Sequence, residues 1–141
     1  MTRALAWKEL FDAIDADKPT YTYNSTTYTY DVFSAFPESD PSYPCIVIHP
    51  FDADVKKIGV TRTVGKTRES AEVEIEFFAL IGHGKNAIDS AKDDIQSVIS
   101  NLNATYFIVA KDSFKDLASD KIEFVGQGLN TGGFSVKVVL L

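Results

Sequence analysis

The stretch Ala71-Glu72-Val73-Glu74-Ile75-Glu76-Phe77-Phe78-Ala79-Leu80 decides the fold of this 141-residue chain. Apolar Ala71, Val73, Ile75, Phe77 and Ala79 alternate with Glu72, Glu74 and Glu76, and the polar phase ends at Phe78 and Leu80. A period of two marks a β-strand with one face inward and one outward, because successive side chains point to opposite sides of a sheet. Burying Val73, Ile75 and Phe77 contributes about 1.5–3 kcal/mol each before chain entropy is counted. Beyond Glu76 the strand is expected to run under cover on both faces.

Working outward, Gly82-His83-Gly84 breaks the strand, which leaves His83 exposed in a turn, and a helix follows over residues 86–102. Ile88, Ala91, Ile95, Val98, Ile99 and Leu102 form its apolar stripe, with Asn86 placed to cap it and Asp89 three positions on as the acid of a capping box. On the other side, Cys45-Ile46-Val47-Ile48 is a short apolar run that suits a strand buried on both faces, and Pro50 stops it after His49. Residues 20–30 read as a hairpin: Tyr21 and Tyr23 precede the turn formers Asn24-Ser25, and Tyr28 and Tyr30 follow. Alternation gathers those tyrosines into a stripe that faces the core. Residues 4–16 form an amphipathic helix ended by Lys18-Pro19, because the residue before proline is pushed out of the α region.

The C-terminal third is read as a strand over 106–110, a short helix or turn over 112–118 and a strand over 121–125. Gly126-Gln127-Gly128 and Thr131-Gly132-Gly133 mark a flexible connection before a last strand at 134–141. With no internal repeat and no linker, residues 1–141 make a single α+β domain. Its mostly antiparallel sheet packs against an N-terminal helix and a longer central helix, and residues 52–69 add an extended basic hairpin or arm.

Composition narrows the function classes. The hydrophobic fraction of 45% and charged fraction of 24% are those of a globular protein. No apolar run approaches the ~20 residues that cross a bilayer, so no membrane is expected as a partner. The N-terminal segment breaks into charge at Arg3, Lys8 and Glu9, too early for a signal peptide, which points to folding in a cytoplasm. The net charge of −6 argues against a general nucleic-acid binder, since phosphates must be neutralised by Lys and Arg. Yet charge is segregated. Lys56, Lys57, Arg62, Lys66 and Arg68 fall in a stretch without an acid, and setting them aside leaves nine basic residues against twenty acidic ones, a balance of −11.

No catalytic, cofactor or metal motif withstands inspection. Residues 59–67 imitate a phosphate-binding P-loop, but five residues rather than four separate Gly59 from Gly65-Lys66-Thr67, and a strand follows where a helix is needed. Glu72, Glu74 and Glu76 stand about 6.6–6.8 Å apart in succession. Acid–base chemistry needs environments that drive two pKa values apart, and one open face supplies a single environment. Cys45, His49 and His83 lack any metal-ligand spacing, and Cys45 reads as a buried structural thiol.

In order, these elements are a short N-terminal helix, the Tyr43-Pro44-Cys45-Ile46-Val47-Ile48 strand, a long basic arm, the strand Val73-Glu74-Ile75-Glu76-Phe77-Phe78-Ala79, the helix from Asn86, and a glycine-bounded strand from Phe134. That order resembles the tail terminator, or tail-to-head joining, proteins of long-tailed bacteriophages and related viruses. The likeness covers most of the chain and rests on length and element order rather than on a motif. It implies a structural virion protein, made in the host cytoplasm and carried at the tail–neck junction. Such a subunit forms a homo-oligomeric ring, a hexamer, that caps the tail tube protein and meets a head or neck connector protein, while DNA passes through the lumen without sequence-specific binding. The basic positions Lys56, Lys57, Arg62, Lys66 and Arg68 and the acidic Glu72, Glu74 and Glu76 are then the assembly contacts. The acidic face either meets the basic arm of a neighbour or lines the lumen. The alternatives are another head–tail connector protein, a small cytoplasmic enzyme or ligand-binding α+β domain with a pocket between helix and sheet, and a nucleic-acid contact made by residues 55–68.

Overall fold

The computed structural model describes residues 2–35, 43–51, 56–61, 66–110, 112–124 and 126–141. Helix α1 (Thr2–Ala16) leads to a two-stranded hairpin, β1 (Thr20–Tyr23) and β2 (Thr26–Thr29). Then come β3 (Asp31–Phe33), β4 (Cys45–Ile48), β5 (Lys56–Thr61), β6 (Lys66–Leu80), α2 (Asn86–Ser100), β7 (Phe107–Val109), β8 (Lys115–Phe124) and β9 (Gln127–Leu140). The larger sheet runs β3-β4-β6-β9-β7, with β5 added beside β6 and β8 beside β9. Every pairing in it is antiparallel except β3 with β4. The expected α+β class with a mostly antiparallel sheet holds.

The alternating strand is the spine. β6 and β9 pair from Ser70↔Val139 to Leu80↔Leu129, so two long strands cross the middle of the molecule side by side. Ala71, Val73, Ile75, Phe77 and Ala79 turn to the face where both helices lie, and all are buried. Val136, Val138 and Phe134 join them from β9, Ile46 and Ile48 from β4, Leu10 and Ile14 from α1, and Ile95 and Ile99 from α2. On the opposite face a smaller cluster of Cys45, Val47, Phe78 and Leu129 closes over the end of the sheet, with Phe33, Tyr43 and Leu80 packed on it. β4 is therefore buried on both faces, and β6 loses its polar face at Phe78 as read.

Four expectations need correction. The central helix is not the longer one: α1 and α2 have 15 residues each, because α1 reaches back to Thr2 and α2 stops at Ser100. Asn86 is the first helical residue rather than the cap, and the capping position, Lys85, makes no side-chain cap bond. Residues 115–118 are strand, not helix, because β8 hydrogen-bonds along β9 from Lys115↔Ser135 to Phe124↔Gln127 with one bulge between Leu117 and Asp120. Finally, β9 begins at Gln127 and runs straight through Thr131-Gly132-Gly133. Those glycines are there for clearance: a Cβ on Gly133 would collide with the Ile75 carbonyl oxygen, and one on Gly132 would stand 3.0 Å from Ile88 Cγ2.

Candidate functional site

Glu72, Glu74 and Glu76 sit on the face of β6 turned away from the helices, with Glu74 exposed and its two neighbours half-buried. Their surroundings differ along the strand. Glu72 lies opposite Lys137 of β9, and Glu74 opposite Ser135. Glu76 lies opposite Val47 of β4 and Gly133 of β9, and its Oε1 is 2.5 Å from His49 Nε2. His49 is itself held in place: its backbone N–H donates to the Glu74 carbonyl at 3.0 Å, and its own carbonyl accepts from Trp7 Nε1 at 2.8 Å. A shallow hollow of about 210 Å³ between His49, Pro50, Glu72 and Glu74 completes this surface. Both members of the His49–Glu76 pair are more than a third exposed, so the contact adds little to stability, about 0–1 kcal/mol for a pair of this kind.

Of the basic positions, Lys56 and Lys57 lie on β5 and Lys66 and Arg68 on the first part of β6, while Arg62 falls outside the described residues. β5 pairs with β6 from Lys56↔Ser70 to Thr61↔Lys66, with a register shift between Ile58 and Val60. β9 reaches β6 only at Ser70. Positions 66–69 are thus paired with β5 alone among the described residues, and this two-stranded ribbon carries on from the strand that bears the three glutamates. The structure brings the acidic residues together on one face and places Lys56, Lys57, Lys66 and Arg68 on the ribbon beyond it. Of the P-loop look-alike, residues 59–61 end β5 and residues 66–67 begin β6, a strand where a helix is needed, and the positions between fall outside the described residues.

Cys45, His49 and His83 do not form a site. Cys45 is buried in the second cluster. Its burial, with a smaller contribution from the Asp31 carboxylate, pushes the thiol up to about 12. His49 stands four positions further along the chain, about 13 Å at strand spacing. His83 is somewhere the sequence did not indicate. It occupies a short 3-10 turn at Ile81–His83, where Tyr21, Tyr23 and Tyr28 enclose it. The Tyr23 ring stacks at 4.5 Å, Tyr28 lies at 4.6 Å, and Tyr21 Oη is 2.7 Å from Nδ1. Tyr30 is fully buried in the core, its hydroxyl donating to the Ala87 carbonyl at 2.6 Å, and Tyr21 packs half-buried against that core, whereas Tyr23 is exposed. The alternation that gathers the tyrosines is legible in the sequence. Their partner, some sixty residues away, is not.

Among the described residues no cluster of three or more His, Cys, Asp or Glu is arranged to hold a metal ion, and no helix is long and apolar enough to cross a membrane. At the far edge of the sheet, Tyr106 and Ile108 around β7, with Leu141 beside them, expose large apolar side chains. No family model matches the chain, and no curated protein is significantly similar to it.

Proposed function

We propose that this chain is a structural subunit of a closed ring, acting as a tail terminator that caps a tail tube and joins it to the head or neck. The observation that carries the reading is the layout of β6, one strand that displays three glutamates on the outer face of the body and continues into a ribbon bearing Lys56, Lys57, Lys66 and Arg68. A ring needs a heterologous interface, two different patches per subunit that fit each other and close on rotation. Opposite charges at two places on one surface supply such patches and set their register. The exposed apolar side chains of Tyr106, Ile108 and Leu141 give a further surface of the kind that assembly covers. In this reading the partners are copies of the chain itself, a tail tube protein and a connector protein.

Sedimentation velocity of the purified chain, followed by negative-stain electron microscopy, tests the proposal. The expected result is a ring with a central hole, formed in solution or on addition of tail tubes. A monomer under both conditions overturns it.

A further inference from the structure

A cleft of about 550 Å³ opens between the start of α2 and the β8–β9 hairpin, on the opposite side of β9 from β6. Its size falls within the range of small-ligand sites, about 300–1,000 Å³. Its construction is specific. The bulge in β8 between Leu117 and Asp120 re-aims the chain so that Ser119 lines the cleft, and bulges commonly serve to redirect a side chain in this way. Two glycines of β9 leave room for the apolar wall: Cβ atoms on Gly128 and Gly132 would stand 3.2 and 3.0 Å from Ile81 and Ile88 Cγ2.

The polar lining is unequal in sign. Lys85 and Lys121 both border the cleft, and neither ammonium has an ion-pair partner among the described residues. The one carboxylate present, on Asp120, is turned onto the backbone N–H of Lys121 at 2.8 Å. Asn130, only 8% exposed, presents its amide at the same place. Its nitrogen reaches the Ile81 carbonyl at a long 3.4 Å, and its oxygen takes part in no hydrogen bond among the described residues. A buried amide in so loose a contact commonly completes its hydrogen bonding with water or a ligand.

We propose that this cleft binds a small oxyanion carried on an apolar or aromatic body. Lys85 and Lys121 hold the anionic group, Asn130 and Ser119 orient it by hydrogen bonds, and Ile81 and Ile88 take the apolar part. Charge-assisted contacts of this kind are the stronger class of hydrogen bond. The site is separate from the β6 surface, so it stands or falls independently of ring formation.

The test is a titration of the full chain followed by backbone amide NMR at Gly84, Lys85, Lys121 and Thr131. Phenyl phosphate and benzoate are the two probes, which separate a phosphate from a carboxylate ligand, and inorganic phosphate is the comparison. Saturation of these amides by either aromatic probe at about 1 mM or below is expected. Binding should be at least about fivefold tighter than for inorganic phosphate, because the latter lacks the apolar contact. The double substitution Lys85→Ala/Lys121→Ala, at two exposed positions, should weaken it about tenfold or more. A charge-matched control, Lys8→Ala/Lys18→Ala, should leave it unchanged. The proposal is overturned if neither aromatic probe saturates these amides, if inorganic phosphate binds equally well, or if the control weakens binding as much as the cleft variant.

Discussion

Cys45 shows how burial decides chemistry at a single residue. Its thiol is fully buried beside Val47, Phe78 and Leu129, and desolvation holds it neutral with a pKa pushed up to about 12. Nucleophilic attack needs the thiolate, so an aromatic disulfide reagent at neutral pH should label Cys45 only as fast as the protein unfolds. Labelling in native buffer at the rate of a free thiol would contradict the burial. The same shift makes stability depend on pH at the alkaline end. A group whose pKa is raised on folding stabilises fully below its unfolded value, about 8.5 for cysteine, and the contribution is lost as pH rises through the folded value. Tyr21 and Tyr30 act in the same direction, both raised chiefly by desolvation. The denaturation midpoint should therefore be steady to about pH 8.5 and fall progressively toward pH 12. Gly133 makes the complementary point about shape. Alanine there drives a methyl into the backbone of β6, so Gly133→Ala should destabilise by at least about 2 kcal/mol in a urea melt.

At the scale of elements, the β1–β2 hairpin is the separable piece. It forms its own two-stranded sheet and is fastened to the body through Tyr30 and the rings around His83. Its turn residues Asn24 and Ser25 both have positive φ, 51° and 64°, the geometry that favours Asn-Gly. Ser25→Gly should stabilise the hairpin by about 0.5–1 kcal/mol, because a left-handed conformation is disfavoured for a residue with a Cβ. Tyr30→Phe should lose about 0.5–1.5 kcal/mol, the net worth of one buried hydrogen bond, because the Ala87 carbonyl keeps its intrahelical partner in α2. Hydrogen exchange at the hairpin amides reads both changes. These elements also explain what the sequence could reveal. Period two at β6 and the apolar run at β4 were legible because one or two buried faces imprint directly on residue type. The end of β8, from Lys121, was legible as strand, but residues 115–120 were not, because Leu117 and its neighbours are at most half-covered, so little apolar periodicity is imposed. The glycines of β9 read as a loop because the sequence does not show the Ile75 backbone and Ile88 side chain that exclude larger residues. The half-buried His83 was likewise hidden, since its enclosure is a contact between the hairpin and the end of β6 rather than a local pattern.

For the whole molecule, the placement of charge gives the ring proposal a test with a parity argument. If the ribbon of one subunit meets the glutamate face of the next, Glu72→Lys/Glu74→Lys should abolish rings by setting basic against basic. Lys66→Glu/Arg68→Glu should abolish them by setting acidic against acidic. Mixing the two variants should restore them, because each altered ribbon then meets an altered face and each native ribbon a native face. Such a mixed ring must alternate its two subunit types, and alternation closes only with an even number of members. Sedimentation of a one-to-one mixture should therefore return the native ring size if that size is a hexamer, and a different size if it is odd. If the glutamates instead line the lumen, Glu72→Lys/Glu74→Lys leaves the ring intact. The substituted ring then retains DNA, with a salt dependence that steepens with the added lysines.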